Sequence, residues 1–330
     1  MNEPLAEYER LREKLKRASE GTLVSKDTSV TYSVEKAIQQ SSSKHHYLPQ
    51  YYIDGFLAVD GLLDIYDKQR DIIKKNRRGS GGVFFERDRN SADFGLSKPI
   101  SLFEDAYGVI DNLLPAAIKL LRADSVNISN EIFTELMANI NVFMIDLFWR
   151  NINTDQLFDD MYDNGKMTVT ISGSRVLSDL ETADIKQMPG FKQLTRLQIF
   201  IAAMKEALSQ DPNGVLNGNL VEFPLEQICI GDMPFVFPFM PKTHIGLLQF
   251  PAIIPISKSK LYLRNIERKA SYDFTDTCMF NALVIEQSSK LICSANSTVL
   301  NAAVDYYRFA KENNCFDHYR NKLFSDSNFI

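Results

Sequence analysis

Apolar residues recur at helical spacing along much of the chain. At the N-terminus the series Leu5, Tyr8, Leu11 and Leu15 leaves the charged residues on the other faces, which predicts an amphipathic helix. Ser101 followed by Glu104 has the S-x-x-E pattern of a helix start. The same periodicity predicts further helices over residues 129–153, 154–162, 191–209, 274–288 and 297–313.

A different pattern occupies the segments between these helices. Residues 62–67 alternate as a strand does, and residues 219–264 are rich in Phe, Ile and Val with prolines that break any helix. Short strands are predicted there, ending with residues 259–264, and the LICS sequence at 291–294 adds another. Helices, strands and then helices again predict an α+β fold, predominantly helical, with a small and mainly antiparallel sheet.

The chain divides into two regions by composition. Residues 1–43 form an N-terminal helical arm and a linker rich in Ser, Thr and Lys, with a short strand around residues 29–32. Residues 44–330 are predicted to form a single α+β domain, in which residues 166–189 are irregular or form a hairpin. The arm either packs along the domain, which we favour, or mediates self-association with a second copy.

Charge and cysteine usage narrow the class of protein. The chain has 37 Lys and Arg against 42 Asp and Glu in 330 residues, a net charge of −5, which argues against a generic nucleic-acid coat. A local basic surface remains compatible with this total. The acidic N-terminal segment is unlike a secretory signal. The sequence also has no apolar stretch that is long and uncharged enough to predict a membrane span. Four distant cysteines without a CxxC pair indicate reduced thiols, so we expect a cytoplasmic protein.

Motifs of several large enzyme classes are absent from the sequence. It contains no G-x-x-x-x-G-K-[ST], no G-x-G-x-x-G after a strand, no H-E-x-x-H and no G-x-S-x-G. These absences argue against ATPases, Rossmann dehydrogenases, zincins and α/β-hydrolases.

Two polar positions in unusual surroundings are candidate catalytic residues. His46, in KHHYLPQYYIDGF, suits a general base or a metal ligand, or else an imidazole that anchors a turn. Asp232 follows the apolar strand ICIG, where a carboxylate can serve a site or can simply accept backbone hydrogen bonds in a turn. For both residues the structural role is weighted more heavily.

Two further polar positions lie within apolar helices. Arg150 is four residues after Asp146, so the two form either an ion pair or, with a ligand, a phosphate clamp. Asn281 lies in CMFNALVIE, where its amide either pins a neighbouring loop or orients a site residue. Here too the structural role is favoured.

Several segments resemble, in order, a mostly bacterial family known as domain-of-unknown-function family 4238. The similar segments are KHHYLPQYYIDGF with LLDIYDK, ERDRNSADFGLSKPISLFEDAYGVID, FMIDLFWRN, IGDMPFVF, IIPISKSKLYL and FNALVIEQSSKLICS. The family's recurrent polar positions fall on His46, Pro49, Arg150, Asp232, Pro234 and Asn281. The family prefers Asn or Asp where this chain has Met233, and the resemblance implies no established activity. It implies that the four polar side chains converge on one pocket.

Two functions are compatible with such a pocket. The first is a hydrolase of a phosphoester or nucleic acid, of the nuclease or toxin type, with His46, Asp232 and Arg150 catalytic. Asn281, Arg70 and Lys74 would then bind substrate, and the expected cofactor would be a divalent metal. The alternative is a non-catalytic ligand-binding, sensor or protein-interaction module.

Overall fold

The structure is a computed structural model. It describes residues 3–22, 44–87, 89, 91–92, 100–123, 129–164, 170–171, 175–176, 178–209, 218–223, 225–239, 247–248, 250–266 and 272–324. The strand expected around residues 29–32 and the linker that would contain it lie outside these ranges.

Helices make up most of the described chain. In chain order they are α1 Glu3–Thr22, α2 Gln50–Ile53, α3 Leu102–Arg122, α4 Asn130–Arg150, α5 Asp155–Asn164, α6 Asp179–Lys186, α7 Phe191–Ser209, α8 Phe274–Gln287, α9 Ser297–Asn313 and α10 Phe316–Phe324. Short 3-10 turns are formed by Asp54–Phe56, Ser80–Gly82 and Ile152–Thr154.

The strands are short and every described pairing is antiparallel. They are β1 Lys44–His46, β2 Asp64–Asp67, β3 Ile72–Ile73, β4 Phe85–Arg87, β5 Ser91–Ala92, β6 Ile100–Ser101, β7 Thr170–Ile171, β8 Arg175–Val176, β9 Gly218–Glu222, β10 Ile230–Gly231, β11 Ala252–Ser257, β12 Lys260–Arg264 and β13 Leu291–Ser294. One sheet has the order β10-β13-β2-β3, a second β11-β12-β9, and three ribbons pair β1 with β4, β5 with β6 and β7 with β8. The predicted α+β class, helical with small antiparallel sheets, is confirmed.

Helix α4 runs through the hydrophobic core. Ser129 caps it by accepting a hydrogen bond from the Ile132 amide, and almost every residue from Ile140 to Arg150 is buried. By length and composition this helix could cross a membrane. However, 72% of its most apolar window is buried inside the protein, as in the core helix of a soluble protein.

The N-terminal helix packs against the body. Tyr8 is 5% exposed, and its hydroxyl lies 2.9 Å from Nδ2 of Asn139 on α4. Arg12 forms ion pairs with Glu131 and Glu135 of α4, and Lys119 of α3 pairs with Glu7. For these residues the structure agrees with packing along the domain rather than with a detached arm.

One segment differs from its prediction. Residues 166–189 contain the ribbon β7–β8, as a hairpin would, but also helix α6. Ser178 accepts a hydrogen bond from the Glu181 amide while the Glu181 carboxylate accepts one from the Ser178 amide. This capping box is encoded in the sequence and stabilises a helix too short for a clear periodicity.

Candidate functional site

Asp232 lies directly after β10, buried at 0% exposure, and its carboxylate holds a turn of the backbone. Oδ1 accepts from the amide of Ser289 at 2.8 Å, and Oδ2 accepts from those of Lys290 and Leu291 at 2.6 and 2.9 Å. Nδ2 of Asn153 donates to Oδ1 at 3.2 Å. Both carboxylate oxygens are therefore used in joining β10 to the turn that precedes β13.

A glycine permits this close approach. A Cβ on Gly231 would lie 2.1 Å from Oγ of Ser288 and 2.9 Å from a methyl group of Val284. Only glycine allows β10 to pass the end of α8 at this separation. The Gly-Asp pair noted in the sequence is thus explained by packing and backbone hydrogen bonding.

The end of α4 is tied to the same turn. Nδ2 of Asn151, the residue that follows α4, donates to the carbonyl of Asp232, and Nδ2 of Asn153 donates to that carbonyl at 3.3 Å. Oδ1 of Asn151 accepts from the backbone amide of Asn153 at 2.8 Å. Asp232 therefore connects three parts of the fold: β10, the start of β13 and the end of α4.

Asn281 of α8 pins the segment that leads into β10. Its Oδ1 accepts from the amide of Cys229 at 2.9 Å, and its Nδ2 donates to the carbonyl of Gln227 at 2.8 Å. The side chain is 2% exposed. The amide thus substitutes for a neighbouring strand by pairing with both polar groups of one backbone edge.

Arg150 is buried and lies between two carboxylates. Its Nε is 2.7 Å from Oδ1 of Asp146, while its Nη1 and Nη2 contact both oxygens of Asp111 at 3.2 and 2.8 Å. Its guanidinium carbon lies 3.8 Å from the ring centroid of Tyr107. Burial acts to lower the pKa of Arg150, but the two carboxylates outweigh it and raise the pKa. The two ion pairs and the ring contact occupy this guanidinium.

Two further arginines, which were not predicted as site residues, bind the C-terminal carbonyls of α4. Arg89 donates to the carbonyls of Arg150 and Asn151 at 3.2 and 3.0 Å, and Arg196 donates to that of Trp149 at 2.9 Å. Both guanidinium groups also pair with Asp155. Burial tends to raise the pKa of Asp155, but these two arginines hold it below its ordinary value. Cations at a helix C-terminus stabilise it.

His46 lies on a different element, the two-stranded ribbon β1–β4. Lys44 is opposite Arg87, His45 opposite Glu86 and His46 opposite Phe85. Directly opposed residues share a face of an antiparallel pair and alternate residues return to it. Lys44, His46, Phe85 and Arg87 therefore form one face, which we call the ribbon face.

The ribbon face is turned outward. Lys44 and Arg87 are exposed and His46 and Phe85 are half-buried, whereas His45 on the reverse face is 1% exposed. The His46 and Phe85 ring centroids are 5.7 Å apart, and Nζ of Lys44 is 4.9 Å from the Phe85 centroid. Nδ1 of His46 is 3.4 Å from Nε2 of Gln50.

The structure thus places three of the four candidate residues around the end of α4 and the segment at 227–232, and the fourth on the ribbon. Asp232, Asn281 and Arg150 have their polar groups directed into the fold. His46 is the member of the set on an outward face. This arrangement corresponds to the structural role for the first three residues.

The candidate substrate-binding residues Arg70 and Lys74 lie in the β2–β3 hairpin, beside a carboxylate. Nζ of Lys74 is 3.1 Å from Oδ2 of Asp67, and Nε of Arg70 is 4.0 Å from the same atom. Arg77 pairs with Asp60 and Asp64. Part of the positive charge of Arg70, Lys74 and Arg77 is therefore balanced by neighbouring carboxylates.

Within the described ranges, no group of three or more His, Cys, Asp or Glu side chains is arranged to hold a metal ion. All four cysteines are free thiols and three are buried. Burial raises the pKa of Cys229 to about 12, so this thiol is unreactive at neutral pH.

Comparisons with protein-family models, with curated proteins and with solved structures give no match to this chain. The resemblance to family 4238 therefore stays a prediction.

Proposed function

We propose that the chain is a binding module for single-stranded nucleic acid and that the ribbon face is its contact surface. The observation that carries this proposal is the placement of Lys44 directly opposite Arg87, beside the rings of His46 and Phe85. A backbone phosphate is a ligand that two adjacent cations on one face can contact together.

The aromatic groups favour nucleic acid over other polyanions. Bases stack on aromatic rings at a protein surface whatever their sequence, while cations along the same surface neutralise the backbone phosphates. The ribbon face combines both features within four residues. The net charge of −5 is no obstacle, because a local basic surface steers a polyanion independently of the total charge.

Binding is favoured over catalysis by what the other candidate residues do. The side-chain polar atoms of Asp232 and Asn281 are hydrogen-bonded to backbone groups, and the guanidinium of Arg150 is paired with two carboxylates. Catalytic groups must instead reach a reacting atom within hydrogen-bond distance.

The test is fluorescence anisotropy of a labelled oligothymidylate titrated with the full chain. Replacing both cations, Lys44→Gln with Arg87→Gln, is expected to weaken binding at least about tenfold. It should also flatten the dependence of log affinity on log salt by about 1.4, since each single-strand phosphate contact contributes about 0.7.

Two further double variants serve as controls. Lys205→Gln with Lys311→Gln removes the same charge from exposed sites on α7 and α9 and should leave affinity within about twofold. Arg70→Gln with Lys74→Gln tests the hairpin cluster and is expected to have the smaller effect. Equal losses for all three pairs, or no binding by the wild-type chain, would contradict the proposal.

Hydrolysis of the bound phosphodiester is a second candidate, favoured by the presence of His46 on the same face. Nε2 of His46 is buried, so Nδ1, which lies beside Gln50, is the nitrogen that could act as a general base toward a water next to the bound phosphate. The test is cleavage of an end-labelled oligonucleotide with and without Mg²⁺ or Mn²⁺, comparing wild type with His46→Asn. Cleavage that the variant loses while it still binds the oligonucleotide supports catalysis. Absence of cleavage by the wild-type chain contradicts it.

A further inference from the structure

Two carboxylates share one guanidinium at the junction of α2, α3 and α4. Asp146 is fully buried and contacts Arg150 through Oδ1, whereas the Asp111 side chain is 40% exposed. If both carboxylates are ionised, the group carries one uncompensated negative charge. Burying such a charge is costly, and a carboxyl group avoids the cost by taking up a proton.

Two polar atoms at this junction have no hydrogen-bond partner among the described residues. They are Oδ2 of Asp146 and the hydroxyl oxygen of Tyr51 on α2, both removed from solvent. An ionised carboxylate in a protein interior normally has both oxygens bonded. Leaving one oxygen unbonded costs less free energy for a neutral carboxylic acid than for a carboxylate, so the pattern favours the neutral form.

We propose that Asp146 is a buried proton-binding site that makes the α2–α3–α4 junction sensitive to pH in the neutral range. The groups that face it are Tyr51 from α2, Tyr107 and Asp111 from α3, and Arg150 from α4. Arg122 of α3 holds the same junction, since it donates to the carbonyls of Tyr51 and Tyr52.

The electrostatics support this assignment. Burial is the largest influence on Asp146; Arg150 opposes it and Asp111 adds to it, raising the pKa of Asp146 from 3.8 to about 7. The folded state therefore holds a proton that the unfolded chain releases near pH 4. The resulting stability is complete below the unfolded pKa and is lost as the pH rises toward about 7.

Helix α2 lies between this site and the ribbon, and the site does not depend on the proposed ligand. Helix α2 begins at Gln50, directly after Pro49, and the Gln50 side chain contacts His46. Deprotonation places a charge next to α2 and should loosen it first.

The test is urea unfolding of the full chain from about pH 5 to about pH 8. The unfolding equilibrium constant of the wild type, divided by that of Asp146→Asn, should rise about tenfold per pH unit up to neutrality and then level off. Tyr51→Phe should retain this rise. Asp111→Asn should move it to lower pH, because Arg150 then serves a single carboxylate.

If the unfolding equilibrium constants of wild type and Asp146→Asn depend on pH in the same way, the proposal is overturned. If that variant does not fold, carbon-13 resonances of the wild-type carboxyl groups decide the matter. One carboxyl group should titrate near neutrality, and a spectrum in which all titrate below about pH 5.5 would overturn the proposal. Neither measurement involves nucleic acid, so failure here leaves the proposed function standing, and the reverse also holds.

Discussion

The Arg150→Met variant is expected to lose about 3 to 5 kcal/mol of unfolding free energy, the range for removing one member of a buried ion pair. The methionine fills much of the arginine's space, so the loss comes mainly from electrostatics. Asp146 would be left buried without its bonded cation, and Asp111 would lose both of its contacts to the guanidinium.

Urea unfolding at about pH 8 measures this loss, with Arg308→Met as the control. Arg308 is 45% exposed and pairs with Asp71 at the surface, where ion pairs contribute little. The loss for Arg150→Met should shrink as the pH falls, because Asp146 can become neutral. Adding Asp146→Asn should also restore part of the stability. An Arg150→Met variant as stable as the wild type at pH 8 would show that Arg150 does not stabilise the buried charges of Asp146 and Asp111.

The Asp232→Ala variant is expected to lose about 3 kcal/mol of unfolding free energy, about 1 for each of the three backbone amides that lose an acceptor. The turn over residues 288–291 would detach from β10, and Asn153 would lose one of its contacts. The strand β13, which pairs with both β10 and β2, should be weakened with it.

Urea unfolding near neutral pH measures the loss of unfolding free energy in Asp232→Ala, and amide hydrogen exchange should show which residues are affected. Protection should fall at Lys290 and Leu291 before it falls in α4. Asp305→Ala, at an exposed position on α9, is the matched control and should change stability little. Unchanged protection in the turn of the Asp232 variant would show that the carboxylate is not its anchor.

Long periodic segments were predictable from the sequence. Helices α7 and α9 begin and end at the predicted residues, and α4 begins one residue after its predicted start at Ser129. In these stretches the apolar stripe and the capping residue specify the same boundaries. Helix α10, which was not predicted, is a single short helix with a weaker pattern, held by Tyr319 and Leu323 in the core.

The candidate residues were found by their type, but their partners could not be predicted. An aspartate after an apolar strand and an asparagine in an apolar helix indicate buried polar groups that must be bonded. Which groups bond to them depends on contacts across long sequence separations, such as those of Asp232 with residues 289–291 and of Asn281 with Cys229. Arg89 and Arg196 gave no signal, because a charged residue in a polar stretch resembles any exposed one.

The ribbon face was only partly predictable. His46 was noted for its aromatic surroundings. Arg87 was not, because only the strand register shows that it lies opposite Lys44. Register between two short strands that are far apart in the sequence is set by the rest of the fold, and a shift of one residue would change the face.

On the proposed function, the buried polar residues hold the fold while the ribbon face contacts the ligand. The most direct test compares Asp232→Asn with the double variant Lys44→Gln and Arg87→Gln, measuring the urea midpoint and oligothymidylate affinity of each. We predict that Asp232→Asn lowers the midpoint but retains affinity while folded, and that the double variant retains the midpoint but loses affinity. An Asp232→Asn chain with an unchanged midpoint and abolished binding would contradict the claim.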